Sequence, residues 1–135
     1  MMKDKIKSLE ITFENLDWIV IPRKYVYEIM VDEACKSTKR HNALCCRFVI
    51  TTDANNVCSQ FTGDVHSIQH EGGYLFERMS QRDITHIQLI DSDNMVYAFN
   101  VEWEEAGDNE FVNSLQKVWV DIHGNLVCEL IVTHY

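Results

Sequence analysis

The feature that most constrains this chain is an alternation of apolar and polar side chains with a period of two residues. The same period recurs in residues 9–13, 46–50, 117–122 and 126–132. Its clearest stretch has an apolar side chain at every second position, namely Met95, Tyr97, Phe99, Val101 and Trp103. A period of two places alternate side chains on opposite faces of a strand. The pattern therefore predicts sheets with one buried face.

Two β-hairpins are predicted in the C-terminal half. Strands Ile84–Ile90 and Met95–Trp103 flank residues 91–94, whose Asp, Ser and Asn side chains favour tight turns through hydrogen bonds to the backbone. Strands Gln116–Ile122 and Leu126–Val132 flank residues 123–125, where Gly and Asn tolerate a positive φ. Because one hairpin follows the other along the chain, we expect a four-stranded meander.

The predicted fold class is α+β, mainly antiparallel β, in a single domain over residues 1–135. The sheet is expected to be single, or closed into a small barrel or sandwich, with short helical turns. Residues 22–31 fit either a helix or a strand, and we favour a turn over Pro22–Tyr25 followed by a strand. Tyr74–Gln81 and Asp108–Leu115 are each expected to hold a helical turn or two. Residues 53–73 read as loops around a weak strand.

Charge is distributed unevenly along the chain. Residues 1–63 carry eight acids and nine bases, whereas residues 64–135 carry thirteen acids and three bases. Residues 91–110 hold seven acids and no base. Direct contact with a nucleic-acid backbone is not expected, because phosphates need clustered Lys and Arg. A basic partner surface is the natural complement, although acids that only keep the surface charged are an equally simple reading.

Composition also bears on the expected compartment. No apolar run approaches the roughly 20 residues that span a bilayer, and the basic N-terminus leads into an alternating segment rather than a signal peptide. The five cysteines are an odd number with one adjacent pair. Such a set is a poor disulfide framework. We therefore expect a cytosolic protein that binds no membrane and has no structural disulfide.

No catalytic, metal or cofactor site is predicted. His66 and His70 are four apart, but on a strand they would lie about 13 Å from each other, too far to share one ion. Cysteine nucleophiles remain open in principle, yet Cys46 and Cys128 sit on apolar faces that suit inert packing. Asp91-Ser92-Asp93-Asn94 starts like a calcium loop, but the sixth position is valine instead of glycine, so it reads as a turn.

A partner-binding surface is the one functional site that the sequence suggests. Trp119 is included because it shares a strand face with charged residues, and exposed tryptophans often anchor interfaces. Partial burial under a loop is its alternative. The predicted contact set is Asp91, Asp93, Glu102, Glu104, Glu105, Asp108, Glu110 and Trp119.

Residues 9–15, followed by residues 21–26, resemble short proteins of unassigned function from phages and prophages of Gram-positive bacteria. Residues 77–79 and 83–87, Tyr97 with Trp103, and Asn113 with Gln116 extend the resemblance over most of the chain. The resemblance implies a context, since small acidic phage proteins include many that block host defence machinery, anti-CRISPR proteins among them. It carries no catalytic signature.

The expected function is therefore that of a non-enzymatic phage or prophage accessory protein. It would bind a basic surface of a host protein, such as a nucleic-acid-binding defence effector, through the acidic stretch. The alternative is a β module that binds or sequesters a small molecule such as a nucleotide signal. A convex acidic face would favour the first function, and a pocket with a few converging polar groups would favour the second.

Overall fold

The computed structural model describes residues 5–14, 16–32, 44–54, 73–81, 83–101, 104–107, 110–112 and 116–134. Most of these residues lie in strands, and the described ranges also hold one α-helix and a 3₁₀ turn over Arg23–Tyr25. The elements in chain order are β1 (Ile6–Phe13), β2 (Trp18–Pro22), β3 (Val26–Asp32), β4 (Leu44–Ile50), α1 (Gly73–Ser80), β5 (Ile84–Asp91), β6 (Val96–Val101), β7 (Glu104–Gly107), β8 (Glu110–Val112), β9 (Lys117–Val120) and β10 (Leu126–His134).

Eight of the strands form one open sheet in the order β2-β1-β5-β6-β10-β4-β3, with β9 paired to β10 beside this path. Strands β7 and β8 form a separate two-stranded hairpin. Every pairing among the described strands is antiparallel. The predicted class, α+β with mainly antiparallel β structure, is confirmed.

Both predicted hairpins are present, but they are not stacked as a simple meander. β6 pairs with β10, at Val101↔Val132, and β9 also pairs with β10, at Val120↔Leu126. This is possible because β10 has nine residues and β9 has four, so β9 covers only the first part of one edge of β10. β6 and β9 therefore lie end to end along one edge of β10, and β4 occupies the other edge.

The sheet is strongly curved, as its connectivity shows. Its two terminal strands, β2 and β3, follow each other in the chain through the 3₁₀ turn alone. Seven flat strands would separate the outer two by about 29 Å, at a spacing of roughly 4.8 Å per strand. Four residues of chain, from Pro22 to Val26, span at most about 15 Å. The sheet must therefore curl toward a half-closed barrel.

The predictions for the short segments had mixed outcomes. A turn followed by a strand is confirmed after Pro22, and the helix predicted near Tyr74–Gln81 is confirmed as α1. The helical turns predicted over Asp108–Leu115 are wrong for Glu110–Val112, which pair with β7 as a strand. The loops predicted within 55–72 lie outside the described residues.

The core lies on the concave face and follows the predicted alternation. Leu9, Ile11 and Phe13 of β1 are fully buried, as are Phe48 and Ile50 of β4. On β6, Phe99 and Val101 are buried as predicted and Tyr97 packs against the core, whereas Trp103 lies outside the described residues. Alternation thus located the core face of the long strands.

The alternation failed at β9. Val118, Val120 and Ile122 were predicted to share a buried face, but Val120 and Ile122 are exposed. The strand ends at Val120, and Ile122 lies in the following turn, where a period of two no longer applies. In the described part of the sheet β9 also has a single strand neighbour, β10, which leaves little to cover its far end.

Helix α1 covers part of the concave face. Leu75, Arg78 and Met79 are buried, at the three- and four-residue spacing of one helical face. Arg78 donates two hydrogen bonds to the carboxylate of Asp83, at 2.7 and 3.0 Å, and its guanidinium lies 3.7 Å from the centre of the Phe13 ring. A buried cation needs such a partner, so these contacts hold the helix against Phe13 of β1 and against the residue that precedes β5.

Candidate functional site

Asp91 belongs to the architecture of the β5–β6 turn rather than to an open acidic surface. Only 5% of its surface is exposed. Its Oδ1 accepts hydrogen bonds from the backbone N–H groups of Asp93 and Met95, both at 2.9 Å, and the Tyr97 hydroxyl lies 3.4 Å from its Oδ2. Asp91 was predicted to contact a partner, but its carboxylate is hydrogen-bonded within the turn and has little exposed surface. Its role is therefore structural.

The other acids of the predicted set are described to different extents. Asp93 is exposed at the tip of the β5–β6 turn. Glu104 and Glu105 lie on β7 and Glu110 on β8, where only their strand positions are described. Glu102 and Asp108 lie outside the described residues.

The β5–β6 turn itself is held from several sides. Asn94 adopts the left-handed conformation with φ of 63°, and its side chain accepts a hydrogen bond from Lys7. The backbone N–H of Ser92 donates to the carbonyl of Lys5 at 2.8 Å. Beyond these contacts the turn leaves Met95 59% exposed and Val96 52% exposed. A fixed turn therefore presents one carboxylate next to two apolar side chains.

Trp119 lies away from that turn, on the convex face of the sheet. It is directly opposite Val127 in the β9–β10 pair. The guanidinium carbon of Arg47 is 5.8 Å from the centre of its ring, within the range of a cation–π contact. Trp119 is 37% exposed, so its side chain is accessible at the surface.

A row of four long side chains, three of them charged, crosses four strands of the convex face. The register places Met30 beside Arg47, Arg47 beside Glu129, and Glu129 beside Lys117. Arg47 Nη1 donates to Glu129 Oε1 at 3.0 Å, with 37% of each side chain exposed. The row therefore carries two cations and one carboxylate.

The convex face also holds its own buried apolar cluster. Val49, Val127 and Ile131 are buried, although they alternate with the core residues of β4 and β10 and do not belong to the core cluster. In an antiparallel sheet the second face is commonly solvated. Here β4 and β10 have buried side chains on both faces, whereas Arg47 and Glu129 between them stay partly exposed and Lys117 is exposed.

A cavity of about 300 Å³ opens among these residues. It is lined from four strands, by Met30, residues 45–47, Lys117 and residues 129–131. Its volume lies at the lower end of the range of small-molecule sites. The lining is mainly apolar with a few converging charged groups, which is the composition typical of such sites.

Arg47 has one side-chain donor that makes no hydrogen bond in the described structure. Its Nε is buried, and no acceptor is present for it among the described residues. A buried donor without a partner costs about 1–3 kcal/mol, whereas a partly exposed ion pair contributes about 0–1 kcal/mol. The pair with Glu129 therefore does not offset the cost of the unsatisfied Nε.

The cysteines correct one prediction and bear out another. Cys45, which lines the cavity, is disulfide-bonded, and its partner is not among the described residues. The prediction of no structural disulfide is therefore wrong, and the cysteine count no longer argues for a reducing compartment. The reasoning failed because an odd count still leaves room for one pair.

Cys46 and Cys128 are free and buried, as their place on apolar faces predicted. Burial raises the pKa of the Cys46 thiol to about 12. Burial, with Cys46 and Glu129 nearby, also raises the pKa of Cys128 well above its ordinary value. Both thiols stay protonated at neutral pH, so neither supplies a thiolate nucleophile.

The metal hypothesis cannot be placed on the described structure. His66 and His70 both lie outside the described residues. Across the ranges that the structure does describe, no three His, Cys, Asp or Glu side chains come together as ligands for an ion.

Within the same ranges, no helix has the length and hydropathy to cross a membrane.

Comparison with protein-family models, with curated proteins and with solved structures found no match.

The sequence reasoning missed the convex-face site. Arg47 and Glu129 are 82 residues apart, and the alternation places each on the polar face of its own strand. One signal was available. Residues 126–132 are apolar at six of seven positions, which is more than one buried face requires and is typical of a strand covered on both sides.

Proposed function

We propose that this protein is a non-enzymatic binding protein that contacts a basic surface of a partner protein through its β5–β6 turn. The observation that carries the proposal is the exposure of Asp93, Met95 and Val96 on a turn that Asp91 holds in place. A fixed apolar contact beside a carboxylate suits recognition, because little conformational entropy is lost on binding.

Charge supports the same kind of partner. The net charge is −9, and residues 91–110 contain seven acids and no base. Opposite charges on two surfaces steer their encounter and raise the association rate. Glu104, Glu105 and Glu110 follow the turn in the chain and extend the proposed contact set. Asp91 is removed from it, since its carboxylate serves the turn.

The resemblance to phage and prophage proteins suggests where to look for the partner. A bacterial host protein that binds nucleic acid has the required basic surface, and a defence effector is one example. Carboxylates on the turn would take the places that phosphates occupy on such a surface.

The test is a pull-down from host lysate followed by binding kinetics with the partner recovered. Asp93→Lys is expected to slow association by roughly five-fold at low salt, with the effect fading as salt rises. Met95→Ala is expected to speed dissociation by roughly five-fold, because an anchoring side chain is truncated. The matched control is Ile122→Ala, which truncates a side chain that is 95% exposed on the β9–β10 turn.

The Ile122→Ala control shows whether a loss of binding is specific to the β5–β6 turn. If Ile122→Ala weakens binding while the two β5–β6 variants leave it unchanged, the β5–β6 turn is not the contact. If both Asp93→Lys and the triple reversal of Glu104, Glu105 and Glu110 to Lys leave the association rate unchanged, the acids are a solvated face and the proposal fails.

A second candidate function is favoured by the cavity on the convex face. It is the binding of a small molecule by a β module, and it rests on the converging groups of Arg47, Lys117 and Glu129. The two functions use different residues and do not exclude each other.

A further inference from the structure

We propose that β2 pairs with the β2 strand of a second copy of this chain, so that two sheets join edge to edge in a two-fold dimer. β2 is one of the two terminal strands of the sheet. The proposal goes beyond the partner contact at the β5–β6 turn and does not depend on it.

The first argument is that β2 lacks the features that keep a terminal strand from pairing with other chains. Such strands usually carry charged side chains, bulges or prolines. β3, the other terminal strand, has an extra residue at the register shift between Val26 and Glu28, and Glu28 is exposed. β2 pairs with β1 in a regular register, and its four residues before Pro22 are uncharged.

The second argument is that β2 has backbone groups with no partner in the described structure. The backbone N–H of Phe13 donates to the carbonyl of Asp17 at 2.8 Å, and hydrogen-bonded pairs alternate along the ladder from there. Ile19 therefore bonds to β1, whereas the N–H and C=O groups of Trp18 and Val20 point away from β1. Among the described residues, no donor or acceptor meets these outward groups.

One antiparallel register satisfies all of these groups. With Ile19 opposite Ile19 of the second copy, Trp18 of each copy lies opposite Val20 of the other. Each such pair exchanges two hydrogen bonds, and the two-fold axis repeats the pair. The same register places the Trp18 ring beside Val20 of the other copy, and pairs of an aromatic with a β-branched side chain stabilise sheets.

The third argument is that the charges at the two ends of β2 complement each other under a two-fold axis. Glu14 and Asp17 precede the strand and are exposed, and Arg23 and Lys24 follow it. Antiparallel pairing brings the acidic end of one copy next to the basic end of the other. In a chain with a net charge of −9, this local attraction opposes the general repulsion between two copies.

The start of β2 is accessible for such pairing. Trp18 is 59% exposed and lies at the end of β2 that is far from the 3₁₀ turn joining β2 to β3. The β5–β6 turn lies at the other end of β1, where Ile6 pairs with Asp91, whereas Trp18 pairs with Thr12. The dimer therefore does not cover the β5–β6 turn of either copy.

The experiment measures self-association of the full chain by sedimentation velocity between about 10 and 300 µM at low salt. Because the interface is small, the dimer is expected to form toward the upper concentrations and to dissociate on dilution. Amide hydrogen exchange is followed over the same range. Exchange at Trp18 and Val20 should slow as the concentration rises, since pairing gives their N–H groups acceptors.

Two exposed aromatic side chains give a matched pair of variants. Trp18→Lys places a cation on the proposed edge and should weaken dimerisation at least about ten-fold. Tyr27→Lys makes the same change in charge at a side chain that is 72% exposed on β3, and should leave dimerisation unchanged.

A charge swap tests the two-fold arrangement. Glu14→Lys and Lys24→Glu should each weaken the dimer about three-fold, because each places like charges next to each other. The double variant should restore it, since the attraction returns with the signs exchanged. Both side chains are exposed, so this test stays decisive if circular dichroism shows that Trp18→Lys is unfolded.

A monomer at every concentration would overturn the proposal. A dimer that persists in Trp18→Lys, or that leaves the Trp18 and Val20 amides exchanging freely, would overturn it too. A double variant as weak as the two single variants would contradict the antiparallel pairing. None of these results bears on the β5–β6 contact, whose own variants lie at the other end of β1.

Discussion

The β5–β6 and β9–β10 turns have the same backbone design and different surroundings. In each, an aspartate accepts two backbone N–H groups at 2.9 Å through Oδ1, from the residues two and four positions later. In each, the fourth residue has a positive φ, namely 63° at Asn94 and 81° at Gly124. The first turn is anchored to β1 by Lys5 and Lys7, whereas no such anchor is described for the second.

The comparison teaches that a turn motif fixes the backbone but not the role of its side chains. Asp91 is buried and Asp121 is only partly so. The same carboxylate geometry therefore closes both hairpins, but the carboxylate of the first is buried and that of the second is partly exposed. Only the packing around each turn decides how much stability depends on it.

The largest expected effect tests this difference directly. Asp91→Ala should lower the free energy of unfolding by about 3 kcal/mol, because buried N–H groups lose a charged acceptor. Asp121→Ala should lower it by only about 1 kcal/mol, since water can replace a partly exposed carboxylate. Urea unfolding with an unchanged slope measures both. Equal losses of unfolding free energy for the two variants would show that burial does not set the contribution of this carboxylate.

A smaller effect tests the positive φ of Gly124 in the second turn. Gly124→Ala should cost about 1 kcal/mol from the backbone alone, since the nearest atoms to an added Cβ are those of Thr52 at an ordinary 3.7 Å. Gly124→Asn should cost roughly half as much, because asparagine tolerates this conformation, as Asn94 does. Thermal and urea unfolding of the two variants would measure the difference. A larger loss for the asparagine would show that side-chain crowding matters here.

The smallest effect concerns a contact that only the first turn has in the described structure. Tyr97→Phe removes the hydroxyl that lies 3.4 Å from Asp91 Oδ2, which is a long hydrogen bond. The free energy of unfolding should fall by about 0.5 kcal/mol. In an Asp91→Ala background the same substitution should have no effect. A loss that persists there would mean that Tyr97 acts through packing.

The sequence predicted strands and turns well because both leave local patterns. Alternation located the core faces of β1, β4 and β10, and the Asp, Asn and Gly residues of the two turns located the hairpins. Pairings between distant strands leave no such pattern. The β4–β10 and β1–β5 pairs, and with them the position of β10 between β4 and β6, could not be read from local periodicity.

The candidate site was harder to predict for the same reason. Alternation places Arg47, Glu129 and Lys117 on the polar faces of three separate strands, and only the register brings them into one row. Asp91 was assigned to a surface because its burial depends on Tyr97 and on β1, neither of which the turn sequence reveals. Charge in a sequence indicates a partner surface only after packing has shown which carboxylates remain exposed.

The position of β10 has a consequence for synthesis of the chain. β10 joins β2-β1-β5-β6 to β4-β3, and it is the last described strand to leave the ribosome. Until it emerges, the nascent chain can form only two half-sheets, with unpaired edges at β6 and β4 that can pair with other chains. Release of a chain truncated before Leu126 should therefore give an aggregating product rather than a smaller folded one.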